Sequence, residues 1–261
     1  MMQMAMVLIS GAVLAVSAAA TGWAASNSSQ DPPQAAVLDP TDRITAEIPP
    51  GLLTGAHAMT YTTVFPGTES PISEGGHWTN GLADGLDWGD ISTTPGLAVG
   101  HSAPARYADA TALLTGTWGP DQTAQATVYA GRARGYPEVE LRLRSSLSAH
   151  HATGYEISNR ACNDASGYLI IVRWNGPLAD FTYLARLDGK KYGVSTGDVV
   201  KATIVENVIT AYKNGVKLAQ VKDNTYTTGN PGMGFNEGTN GDYGFTSFTA
   251  SDNPKPSGDG G

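Results

Sequence analysis

From residue 123 to residue 250 the chain alternates apolar and polar side chains with a period of two, and this pattern confines it to extended strands. A helix would scatter such a pattern around its circumference, whereas a strand sends successive side chains to opposite faces of a sheet. The alternation predicts strands at residues 123–130, 138–144, 154–160, 168–174, 181–187, 198–205, 208–212, 216–221 and 243–250. Asn214-Gly215, between two of them, is the residue pair that a two-residue hairpin turn demands, because both positions need a positive φ. Glu206-Asn207 marks another turn. Connectors recurring at roughly 8–12 residues point to an all-β sandwich or barrel and not to alternating strands and helices. The stretch from Ile44 to Gly119 is punctuated by Gly and Pro, and reads as one strand, long loops and a short helix over residues 106–113.

Composition agrees with this and excludes other classes. The chain has 261 residues, 41% of them hydrophobic, enough to build a core without disulfides, and Cys162 is its only cysteine. A net charge of −8 with no Lys/Arg cluster removes the basic footprint that nucleic acid or an anionic membrane requires. Residues 4–20 form an uncharged Ala/Val/Leu-rich run followed by small residues. Residues 1–24 therefore read as a cleaved signal peptide and the protein as secreted or periplasmic, with no membrane attachment afterwards. Residues 25–43 read as a flexible leader, 44–250 as the folded domain, and 251–261 as a disordered tail.

The run GDVVKATIVENVITAYKNGVKLAQVKDNTYTTGNPGMGF, followed by DYGFTSFTA, resembles the closing hairpins of the concanavalin A-like lectin/glucanase superfamily, laminin-G-like domains included. The resemblance implies a two-sheet antiparallel jelly-roll sandwich. A G-x-x-G loop would follow the hairpins, and the last strand would lie beside the first. It also implies a sugar ligand on one sheet face, and places Asp242 where members of the superfamily hold a structural calcium ion. No other cofactor is required.

The segment with most chemistry is Glu138-Val139-Glu140-Leu141-Arg142-Leu143-Arg144. Alternation puts Val139, Leu141 and Leu143 toward the core and Glu138, Glu140, Arg142 and Arg144 together on the other face, which is either a solvated surface or the charged floor of a groove. Trp174 and Trp118 are candidate stacking platforms for pyranose rings. Two carboxyls on one strand, about 6.7 Å apart at Cα, suit a glycosidase in principle. However, Arg142 occupies the place of the second catalytic glutamate of laminarinase-type enzymes. The run is also similar to the Arg-x-Glu-Leu-Arg strand of jelly-roll alginate lyases, whose Gln-Ile-His and Tyr-Phe-Lys-x-Gly motifs are absent. A lyase site built here would use Arg142 to neutralise the uronate, with Tyr155 and His151 as base and acid. The readings are thus a carbohydrate-binding protein, a uronic-acid lyase, or a noncatalytic envelope interaction domain, with catalysis left open.

Overall fold

The computed structural model describes residues 58–101, 109–131, 135–236 and 241–252. The signal run, the leader and residues 253–261 lie outside these, as does the start of the expected helix at residues 106–108.

Strands dominate the described residues. In chain order they are β1 (Thr60–Thr63), β2 (Trp78–Asn80), β3 (Ile91–Thr94), β4 (Leu97–Gly100), β5 (Ala110–Leu114), β6 (Gln122–Ala130), β7 (Glu138–Ser148) and β8 (His151–Arg160). There follow β9 (Tyr168–Gly176), β10 (Phe181–Asp188), β11 (Val199–Val205), β12 (Val208–Lys213), β13 (Val216–Lys222), β14 (Asn230–Asn236) and β15 (Tyr243–Asp252). They assemble into two antiparallel sheets. One runs β13-β12-β11-β6-β15-β4-β3, with β1 also on β15; the other runs β10-β9-β8-β7-β14-β5-β2. The last strand does lie beside the first, with Thr60 opposite Ser251. It also continues through Ser251 and Asp252, two residues into the expected tail. The Asp252 carboxylate there accepts hydrogen bonds from the N–H groups of Met59 and Gly119.

The predicted alternation builds the space between the sheets. Val139, Leu141 and Leu143 of β7, at most 1% exposed, meet Ala126, Val128, Phe245 and Phe248 of the opposite sheet in one cluster. At roughly 25 cal/mol per Å² of apolar surface, this burial is the main term holding the sheets together. The Asn214-Gly215 turn carries φ of 50° and 79°, the sign its hairpin needs.

Two expectations fail, for tertiary reasons. Ala110–Leu114 is a strand, not a helix: all five of its residues are buried between β14 and β2, and sheet burial overrides the helical preference of Ala and Leu. The expected G-x-x-G loop gives way to β14, whose Asn-Pro-Gly-Met-Gly-Phe-Asn sequence is depleted in strand formers. Pro231 is tolerated there because the register with β7 shifts between Asn230 and Gly232, so no ladder hydrogen bond is lost.

Candidate functional site

The outward face of the seven-stranded sheet carries the charges. On β7, Glu138, Glu140 and Arg142 stand opposite Arg160, Ser158 and Glu156 of β8. Beyond β8, β9 presents Tyr168, Ile170, Val172 and Trp174. On the other flank β14 places Gly234 opposite Glu140, Gly232 opposite Arg142 and Asn236 opposite Glu138. Asp109, just ahead of β5, completes the group.

Arg142 sits at the centre, 2% exposed. Its Nη2 lies 2.5 Å from Glu140 Oε2 and 3.5 Å from Asp109 Oδ2, and its Nη1 lies 2.9 Å from Glu156 Oε2. Trp174 Nε1 donates to Glu156 Oε2 at 2.6 Å. The guanidinium stacks 5.0 Å from the Trp88 ring, which meets Trp174 edge-on at 4.5 Å. Leu86, Ala152, Ile170, Val172 and partly buried Phe181 surround the two tryptophans as a second apolar cluster, so the charges are sealed from water.

Sealing costs free energy, and the carboxyls respond. Burial, then repulsion from Glu156, holds Asp109 well above the usual carboxylate range against the pull of Arg142. Burial, then Asp109 and Glu156, does the same to Glu140. Burial alone would lower Arg142, but Glu156, Glu140 and Asp109 together keep it above its ordinary value.

Next to this sealed cluster an open strip crosses the same face. Tyr136, 60% exposed, covers the Arg160 guanidinium at 4.9 Å. Arg160 and Arg186 both lie over the Tyr168 ring, at 5.8 and 4.9 Å. Tyr183, 52% exposed, follows on β10, its ring 5.2 Å from Phe181. Beneath the strip the Tyr168 hydroxyl donates to Glu138. Burial pushes the Glu138 carboxyl up to about 7, with the Tyr168 hydrogen bond opposing the shift.

Of the residues singled out from the sequence, Glu138, Glu140, Arg142 and Trp174 share this face. Arg144 does not. The β7–β8 register slips between Leu143 and Ser146, and Arg144 itself takes φ 46°, so a β-bulge redirects its side chain. It is spent on loop carbonyls, donating to Pro120 at 2.6 Å, Tyr226 at 2.9 Å and Glu206 at 2.7 Å. Tyr155 is fully buried in the inter-sheet core, one position from Glu156 and hence on the opposite face, with its hydroxyl donating to Asp223. His151 is exposed at the start of β8, five residues from Glu156, or about 16 Å at strand rise. The fold therefore does not bring Arg142, Tyr155 and His151 together. Trp118 also plugs the core, its Nε1 donating to Thr115. Asp242 lies in the turn before β15, where its carbonyl accepts from Gly131. Among the described residues, Asp109, Glu140 and Glu156 each place one carboxylate oxygen within 4.8 Å of the other two.

Sequence reasoning missed Asp109, Glu156, Trp88, Tyr136, Arg160 and Arg186 as site residues. Glu156, Ser158 and Arg160 alternate on one strand just as Glu138, Glu140 and Arg142 do, and that signal was present. Nothing local marks Asp109 or Trp88, which arrive from loops.

No protein-family model matches the chain, and no curated protein matches it in sequence. Solved structures do match. A Bacillus subtilis protein of unknown function with a galectin-like fold shares 10% identity over 73% of this chain and 94% of its own, at a TM-score of 0.50. The exoplasmic/lumenal domain of VIP36, in a Ca2+/mannose-bound form, shares 13% over 72% and 88%, at 0.49. The carbohydrate-binding module CBM66 from Bacillus subtilis shares 15% over 68% and 92%, at 0.47. The fold is a two-sheet antiparallel sandwich of the galectin-like kind.

Proposed function

We propose that this is an exported carbohydrate-binding protein that holds an oligo- or polysaccharide against the outward face of its seven-stranded sheet. The observation that carries this reading is the strip Tyr136–Arg160–Tyr168–Arg186–Tyr183, open at both ends through Tyr136 and Tyr183. Pyranose rings place their C–H faces on flat side chains, and guanidinium and carboxylate groups bond the hydroxyls around the ring. Here aromatic and charged groups alternate along one line, and the sealed cluster beside it keeps that line rigid. A rigid floor loses less entropy when a sugar binds. The apolar run at residues 4–20 supports export.

The reading is tested by electrophoresis through gels containing neutral and uronic polysaccharides. The expected result is retardation by at least one polymer, without shortening of that polymer and without the ultraviolet absorbance of unsaturated products. Tyr183→Ala and Tyr136→Ala should each reduce the retardation. Migration unaffected by every polymer, or retardation indifferent to both substitutions, would overturn it.

A further inference from the structure

We propose that Asp109, Glu140 and Glu156 form a binding site for one hard divalent cation, which ties β7, β8 and the segment ahead of β5 together beside the open strip. One carboxylate oxygen from each residue lies within 4.8 Å of the other two. Each carboxylate turns one oxygen toward Arg142, namely Asp109 Oδ2, Glu140 Oε2 and Glu156 Oε2. Glu140 Oε1 is buried and has no hydrogen-bond partner. Neither has Ser158 Oγ, on a fully buried residue directly opposite Glu140 in the β7–β8 register. Side chains opposite one another on a sheet face are neighbours, so this idle hydroxyl adds a fourth oxygen beside the carboxylates.

Donor chemistry sets the class of ion. An all-oxygen donor set selects magnesium, calcium or manganese over the softer metals that seek thiolate or imidazole. Asp109 precedes β5, Glu140 is on β7 and Glu156 on β8, so the ion would join segments that are separated along the chain and across the sheet. The proposal does not depend on a sugar ligand.

The test uses the purified chain, stripped with EDTA and exchanged into chelator-treated buffer, then titrated separately with magnesium, calcium and manganese chloride. Calorimetry and the emission of Trp88 and Trp174 report binding, and thermal unfolding reports its consequence. The expected result is saturation by at least one of these cations at one equivalent per chain, with a rise in Tm. Ser158→Ala, which replaces an unpaired hydroxyl with an apolar group, should weaken binding by roughly tenfold, the loss seen when a supporting partner is removed from a metal site. Glu140→Gln should weaken it further, and Asp242→Asn should leave it unchanged. The proposal is overturned if none of the three cations binds or shifts Tm, if binding is indifferent to Ser158→Ala, or if Asp242→Asn abolishes it.

Discussion

Gly234 faces Glu140 across the ladder between β14 and β7, and a Cβ on Gly234 would stand 2.3 Å from Glu140 Oε2 and 2.9 Å from Arg142 Nη2. Its φ is not in the left-handed region, so glycine serves here by leaving space and not by its torsional freedom. Glu140 and Arg142 can lie flat across the sheet only because β14 has glycines, Gly234 and Gly232, opposite them.

Gly234→Ala should therefore destabilise the fold by about 1–3 kcal/mol, the usual cost of overpacking a dense site. Urea unfolding at neutral pH measures this as a lower midpoint with an unchanged m-value. An unchanged midpoint would mean that the ion cluster can shift aside freely.

Arg142→Met should cost more, about 3–5 kcal/mol at pH 7, because it strands three buried carboxyls without their cation. Combining it with Glu140→Gln should recover part of the loss, since the double variant buries less unpaired charge. A double-mutant cycle by urea unfolding reads this coupling.

Arg144→Met should destabilise by about 1–3 kcal/mol for the loop carbonyls left without a donor. It should leave polysaccharide affinity within about twofold, because the side chain points away from the strip. A large affinity loss with intact stability would place Arg144 at the ligand after all.

Stability should depend on pH through Glu138, whose carboxyl rises from 4.5 to about 7 in the folded protein. The folded state then holds this proton more tightly than the unfolded chain. Its stabilising effect is complete below about 4.5 and is lost as pH rises to about 7. Asp109 and Glu140, also shifted upward, act in the same direction. In EDTA-containing buffer, Glu138→Gln should flatten the decline of unfolding free energy across that window; a slope equal to that of the unsubstituted protein would assign the decline elsewhere.

Nine of the strands were legible as residue alternation, because each buries one face against the opposite sheet and shows the other to a different environment. The placement of Val139, Leu141 and Leu143 in the core followed directly. So did the shared face of Glu138, Glu140 and Arg142. Arg144 could not be placed by the same rule, since one extra residue in a bulge reverses every later assignment on the strand, and a bulge has no reliable local signature. β14 was hidden for a related reason: its Pro and Gly residues describe a loop until the charges opposite them are known.

The sequence by itself determined that this chain is built of β-strands and which side of each long strand is dry, because a period of two is a property of the backbone and needs no partner. Only the tertiary structure decided that Asp109, Glu140, Arg142 and Glu156 share one sealed site, and that Tyr136 and Tyr183 frame an open strip beside it. Those residues come from separate strands and loops, and pairing across a sheet is set by packing and register that no local stretch of sequence encodes.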